Sequence, residues 1–307
     1  MRTAITAVTI SMALGVAACG SGGGGGGDTG RLSLAVTDAP VDDASSVVVQ
    51  FRGVALKRAG AAPEEVQNLT PSPRQLDLLQ YQGGRAVLLL DGATLPAGDY
   101  EWIRLIVDNE TGVRDSYIVL RSGEECELRV PSGAESGLKL NRGFTLPADG
   151  SVALTIDFDL RKSIHAPPGQ RGAAETCTQG YLMRPTLRIV DDANVGAIGG
   201  QVDAALVTEE CLPKVYVFSG TGAVPDDIED ATGADADPLV VAGVGVENGS
   251  TSYAYRAAFL PPGGYTVAFT CDDDDATADD TLTFTGTQNV TVQPNLISTA
   301  DFAAPAP

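Results

Sequence analysis

"VALTIDFDL", residues 152–160, decides the fold class of this chain. Leu154, Ile156 and Phe158 fall on one face at period two, and Asp157 and Asp159 fall on the other. That is the pattern of a strand with one face in a core and one polar face. The same alternation runs through "RLSLAVT" (31–37), "VVVQFRGVAL" (47–56), "YEWIRLIVD" (100–108) and "ECELRV" (125–130). Clusters of Gly, Pro, Asp and Asn separate these runs, and long amphipathic helical patterns are nearly absent. Short strands without intervening helices predict an all-β sandwich rather than a βαβ sheet. One helical turn fits inside "PRQLDLLQYQGG" (73–84).

A second set of strand patterns runs from "GAIGGQVDAALV" (196–207) through "KVYVFSG" (214–220) and "SYAYRAAFL" (252–260) to "QNVTVQP" (288–294) and "LISTADF" (296–302). The expectation is two consecutive β-sandwich domains, Ig-like or prealbumin-like, over residues 31–192 and 195–303. Two turns share a spelling: "LPAGDY" (95–100) and "LPPGGY" (260–265) each set Pro and Gly ahead of a tyrosine that opens an apolar strand. Proline presets φ and glycine accepts positive φ, which suits a tight turn into a strand.

Residues 1–18, "MRTAITAVTISMALGVAA", carry one charge at Arg2 and then an uncharged run ending in small residues. This is the build of a secretory signal, and it is too short and too polar for a spanning helix of ~20 apolar residues. "VAAC" (16–19) resembles the bacterial lipobox, in which the cysteine, here Cys19, is lipidated and becomes the new N-terminus. Residues 19–30 then form a lipidated, glycine-rich tether, because a Gly/Ser run has no side chains to bury and no preferred φ. Gly20, rather than aspartate, follows the cysteine, which by resemblance to lipoprotein sorting favours the outer membrane of a bacterial envelope.

The formal charge is −20, and it is uneven: from Val195 onward 17 acidic residues face only Lys214 and Arg256. Such a surface repels phosphates, so nucleic acid is excluded as a partner; the membrane is reached through the lipid alone. With Cys19 acylated, Cys126, Cys177, Cys211 and Cys271 remain, an even set that in an exported protein reads as disulfides. Four cysteines allow three pairings, and a boundary near residue 194 selects Cys126–Cys177 and Cys211–Cys271. Zinc is disfavoured, since there is no Cys-x-x-Cys and His165 is the only histidine.

"GRLSLAVTDAPVDDASSVVVQFRGVAL", "LDLLQYQGGRAVLLLDGATLPAGDYEWIRLIVD", "IDFDLRKSIH" and "GYLMRPTLRIVDD" together resemble, in this order, a bacterial lipoprotein family known as domain of unknown function 4382. The resemblance runs from about Gly30 to Asp192. Its most specific pieces are "TDAP" (37–40) and "DFDLRKSIH" (157–165). The second domain is more loosely similar to the transthyretin-like or carboxypeptidase-regulatory-like sandwich, through Gly200-Gln201-Val202 and the turn Leu260–Val267. Neither resemblance implies a catalytic site, and none is expected: the chain reads as no enzyme.

Individual side chains offer a few alternatives. Asp38 in "TDAP" is expected to bond its own turn. Asp157 and Asp159, with His165 in a Pro/Gly loop, are the groups a hydrolase would use, but no nucleophile elbow or partner carboxylate accompanies them. A carbohydrate-binding face would need Trp102 or tyrosines exposed on a concavity. "CDDDDATADD" (271–280) is the densest acidic run, and Asp272, Asp273, Asp274, Asp275, Asp279 and Asp280 are the candidate ligands for Ca²⁺, the one cofactor considered. It lacks the spacing of an EF-hand, and "DDIEDATGADAD" (226–237) leaves the same two readings open, with a strand-connecting loop the favoured one. The function read from the sequence is a lipid-anchored envelope protein with a structural or binding role, its partner an envelope protein or glycan. A calcium- or carbohydrate-binding surface module is the alternative, and a hydrolase the remote one.

Overall fold

The computed structural model describes residues 28–38, 44–61, 65–69, 73–108, 113–130, 138–166, 177, 180–228, 237–246, 252–274 and 279–304. Cys19 with the signal and glycine run, Ala39 and Pro40 of "TDAP", and Asp275 lie outside them. The chain is all-β and builds sandwiches, as its alternation predicts; among the described residues the one α-helix is Leu160–Ser163. No helix of the described residues is long and apolar enough to cross a membrane.

Residues 29–191 form a smaller and a larger sheet. In the smaller, Thr29–Asp38 lies centrally, parallel to Ser151–Asp159 and antiparallel to Val87–Pro96, with Thr186–Asp191 at the far edge. The register sets Leu34 opposite Leu154 and Val36 opposite Ile156, so both apolar rows turn to the same side. The larger, ten-stranded sheet is organised by Ala44–Arg58, a strand long enough to pair with Gly98–Val107, Tyr117–Leu120, Glu65–Asn68 and Arg74–Asp77. Phe51 of this sheet meets Phe158 of the smaller one edge-on, ring centroids 6.3 Å apart, and both are fully buried.

"VALTIDFDL" departs from a uniform strand at its end. Asp159 stops the ladder because its carboxylate accepts from the Lys162 amide (3.2 Å), capping the helix that Leu160 opens. The helical turn expected in residues 73–84 is a 3-10 turn, Leu78–Gln80, capped in the same way by Asp77. His165, expected in a loop, is in a two-residue strand, Ile164–His165, paired with Tyr181–Met183.

The second sandwich is one path of seven strands folded into two layers. The fold comes from Val240–Val246, which changes partner midway. Residues 240–243 pair with Lys214–Ser219, and residues 244–246 pair with Tyr253–Leu260. Ile198, Val215, Val217, Val267 and Phe302 fill the space between the layers. Along Lys214–Ser219 the expected alternation fails: Val215 and Val217 face that core, yet Tyr216 and Phe218 on the opposite face are equally buried. A second small core covers them, made of Ile228, Val241, Leu282 and Phe284.

Each sandwich carries one disulfide, Cys126–Cys177 and Cys211–Cys271, with separations of 51 and 60 residues. Loops of that length are worth about 4 kcal/mol each in the chain-entropy model.

The two look-alike turns have a common physical purpose. Tyr100 donates its hydroxyl to the Pro96 carbonyl (2.8 Å), and Tyr265 does the same to Pro261 (2.6 Å), four residues back in both cases. Both turns carry the chain from one layer of a sandwich to the other, Val87–Pro96 to Gly98–Val107 and Tyr253–Leu260 to Gly263–Thr270. The ring fills the core beneath the corner while the hydroxyl closes the turn, the arrangement of a tyrosine corner. Tyr100→Phe and Tyr265→Phe are therefore each expected to lower unfolding free energy by about 1–2 kcal/mol in denaturant melts, with unchanged m-values. Losses below ~0.3 kcal/mol in both would leave the hydroxyls without a structural part.

Candidate functional site

Charged groups from a short helix and from the ends of strands converge where the two sandwiches meet. Arg161 sits in the helix that Asp159 starts, at the end of the first sandwich's central strand pair. Its Nη1 donates to the Tyr216 hydroxyl (2.9 Å) and to Asp274 Oδ2 (3.1 Å), both in the second sandwich. Tyr216 also hydrogen-bonds Asp274 Oδ2, closing a three-membered ring of contacts. The Arg161 side chain is 3% exposed and that of Asp274 is 0% exposed. Beside this pair, Lys162 bridges to Asp237, again across the two sandwiches.

Two acidic runs contribute carboxylates to this corner. Asp227 follows the strand carrying Tyr216, and Asp274 and Asp280 come from the 271–280 run. One carboxylate oxygen from each of Asp227, Asp274 and Asp280 lies within 4.8 Å of the others. The Asp280 amide donates to Asp227 Oδ2 (2.5 Å), so the loops are tied by backbone as well as by position. What folds them inward is apolar: Ile228 next to Asp227, and Leu282 and Phe284 just beyond Asp280, cover the rings of Tyr216 and Phe218. The sequence weighs Asp227 only as part of the 226–237 run and does not single it out as a ligand; the apolar Ile228 beside it is the signal that this position packs. Arg161 and Tyr216 carried no sequence signal of their own.

Burial raises the pKa of Asp274 above the ordinary carboxylate value, against the pull of Arg161, the Tyr216 hydroxyl, Lys214 and the Ile228 amide. Asp227 is raised by burial too, with Asp274, Asp226 and Asp279 adding repulsion and the Asp280 amide opposing it. Desolvation likewise pushes the Tyr216 hydroxyl up, so it stays protonated and donates. Asp274 Oδ1 is buried without a hydrogen-bond partner.

The remaining acids of the 271–280 run are placed differently. Asp272 accepts from the Thr283 amide (2.6 Å), while Asp273 and Asp279 are exposed. Asp157 pairs with Arg188 (2.5 Å) directly across the ladder, and Asp159 is occupied by its helix cap. Burial raises both of their pKa values, with Arg188 opposing at Asp157 and the Lys162 amide at Asp159. Asp38 is buried at the end of its strand, its amide donating to the Tyr81 carbonyl (3.1 Å). Trp102 is half-buried on the outer face of the larger sheet, with Lys139 (4.7 Å) and Arg104 (5.4 Å) over its ring. Its own cations thus take up ring surface that a sugar would stack on. Near it, a cleft of about 410 Å³ is lined by Lys139, Arg142 and Arg188 together with Leu140, Leu187 and Ile189.

Arg161→Met strands a buried carboxylate and is expected to cost about 3–5 kcal/mol. Arg161→Met with Asp274→Asn should cost clearly less than the sum of the single changes. Additive losses would mean that the two groups do not interact. The raised carboxylates Asp157, Asp159, Asp192, Asp227 and Asp274 set the sign of the pH dependence. A folded pKa above the unfolded one gives stability that is present at low pH and lost as pH rises through the folded value. Mild acidification from neutrality towards pH ~5 should therefore hold or raise the melting temperature, whereas paired carboxylates of depressed pKa would lower it.

Among solved structures the chain is similar, at very low likeness, to several bacterial proteins. The Bacillus anthracis TIE protein is 11% identical, covering 88% of this chain and 33% of its own, with a TM-score of 0.19. The minor pilin GBS52 of Streptococcus agalactiae is 9% identical, covering 90% of this chain and 97% of its own, at 0.20. The major pilin subunit BcpA of Bacillus cereus is 11% identical, covering 89% and 98%, at 0.20. The chain spans about a third of the length of the first of these. No curated protein matches the sequence. The family model described as "Domain of unknown function (DUF4382)" matches residues 29–185, which take in the whole strand framework of the smaller sheet up to the last strand. Over just more than half of its length, then, this chain is a DUF4382 domain, and it belongs to that family.

Proposed function

We propose that this chain is a lipid-anchored protein of the bacterial envelope with a structural or binding role rather than a catalytic one. The observation that carries the reading is how its chemistry-bearing side chains are used. Asp157 is taken by Arg188, Asp159 by a helix cap, and Asp274 by Arg161 and Tyr216. Each fastens one segment to another, and the last fastens one sandwich to the other. A general acid or base must instead reach a proton on a substrate. Two disulfides add to the same end, in the manner of a protein made for an oxidising compartment.

In this reading the signal-like residues 1–18 direct export, Cys19 receives the lipid, and the glycines that follow hold the body away from the outer membrane. The second sandwich is of the transthyretin-like kind, a reading supported by its seven strands and by the Leu260–Tyr265 corner. The partner is another envelope protein or a glycan. Cys19→Ala is expected to leave an unprocessed precursor that no longer partitions into detergent and takes up no acyl label. A variant that still partitions and still carries acyl chains would overturn the anchor.

A further inference from the structure

We infer that Asp227, Asp274 and Asp280 bind a calcium ion, and that this ion clamps the two sandwiches together through the second oxygen of Asp274. Three observations meet at this corner. The three carboxylates come from two separate stretches of the chain, Asp227 from one and Asp274 and Asp280 from the other, yet present oxygens within 4.8 Å of one another, a separation that suits ligands of one large cation. Asp274 is wholly buried, with Oδ2 committed to Arg161 and Tyr216 and Oδ1 buried without a hydrogen-bond partner. A buried carboxylate oxygen left so is costly in a low-dielectric setting, and a cation satisfies it.

The charge balance points the same way. Asp226 and Asp279 add repulsion to that of Asp274 at Asp227, while the cations acting on Asp274 are Arg161 and Lys214. Five carboxylates against two cations leave a net negative corner that a divalent ion brings close to neutrality. All the ligands are hard oxygens, with no His or Cys in the group, which favours calcium over zinc or copper. Three carboxylates, mono- or bidentate, supply part of the six to eight oxygens that calcium takes, and water completes the shell.

Position gives the ion its effect. Arg161 belongs to the first sandwich and Asp274 to the second, so fixing Asp274 from its far side fixes the partner of Arg161. An ion that fixes Asp227 and Asp280 also holds the nearby Ile228 and Leu282 over Tyr216, the third member of the contact.

The test is calorimetric titration of the full exported chain with calcium chloride, against sodium chloride at matched ionic strength. One site is expected, with a dissociation constant of about 10⁻⁴–10⁻³ M. Asp227→Asn and Asp280→Asn should each weaken it at least ~10-fold, as expected when a charged ligand becomes neutral. An asparagine at 227 keeps an oxygen that can accept the Asp280 amide, and melting temperatures of both variants without calcium, expected to stay close to that of the wild type, check that the fold is kept. Asp273→Asn removes the same charge from an exposed position and should leave the affinity within about twofold. Absence of binding, or an equal response in all three variants, overturns the site. The clamp is read separately by amide hydrogen exchange at Leu160–Ser163, which calcium should slow in the wild type and not in Asp280→Asn. Binding with unchanged exchange there overturns the clamp.

Discussion

The way the two sandwiches meet depends on one guanidinium. Arg161 is the point at which the first sandwich grips the second, and almost everything near it is arranged so that a buried charge is tolerable. Buried ion pairs give little net stability, because both ions lose water, but they are severe about geometry. Here the severity is useful. Two sandwiches joined by a short connection and greasy contact alone have many ways to lean on each other. A buried arginine that must find one carboxylate and one hydroxyl leaves few of them.

The same economy of short polar side chains recurs through the chain. Asp77, Asp159, Asp191 and Asp203 each end a strand or linker by capping a following short helix or turn through their carboxylates. Asp159 matters most, because the helix it starts is the one that delivers Arg161. A change in that cap would move the arginine and, with it, the contact between the sandwiches. The acidic character of the chain is thus partly architectural: many of its aspartates close turns before they contribute to surface charge.

Period-two alternation made most of the strands legible, since the burial of Leu32, Leu34, Val36, Leu154, Ile156 and Phe158 follows directly from it. It failed at Lys214–Ser219, where both faces are covered, because alternation reports one core and this strand separates two. The repeated Leu-Pro-x-Gly-x-Tyr spelling was visible as turn chemistry, but the hydroxyl bond that explains the tyrosine is a distance in space and not in sequence. The acidic corner was half visible. Density of aspartate marked 271–280, whereas Asp227, Arg161 and Tyr216 come from other elements and reach Asp274 only in the folded chain.

The strand order of the smaller sheet has a mechanical meaning. Thr29–Asp38, the first strand among the described residues, is an interior strand, with a parallel neighbour on one side and an antiparallel one on the other. Tension arriving along the chain from its N-terminal side enters the sheet at Thr29 and runs down the axis of that strand. Both hydrogen-bond ladders are then sheared along their length, many bonds sharing the load, instead of being unzipped one at a time as at a sheet edge. Gly30 adds a wedge at the point of pull: its backbone lies so close to Pro147 that a Cβ there would come within 2.5 Å of the carbonyl oxygen. A body that is held by its N-terminus is, in this fold, held by a strand that is hard to withdraw.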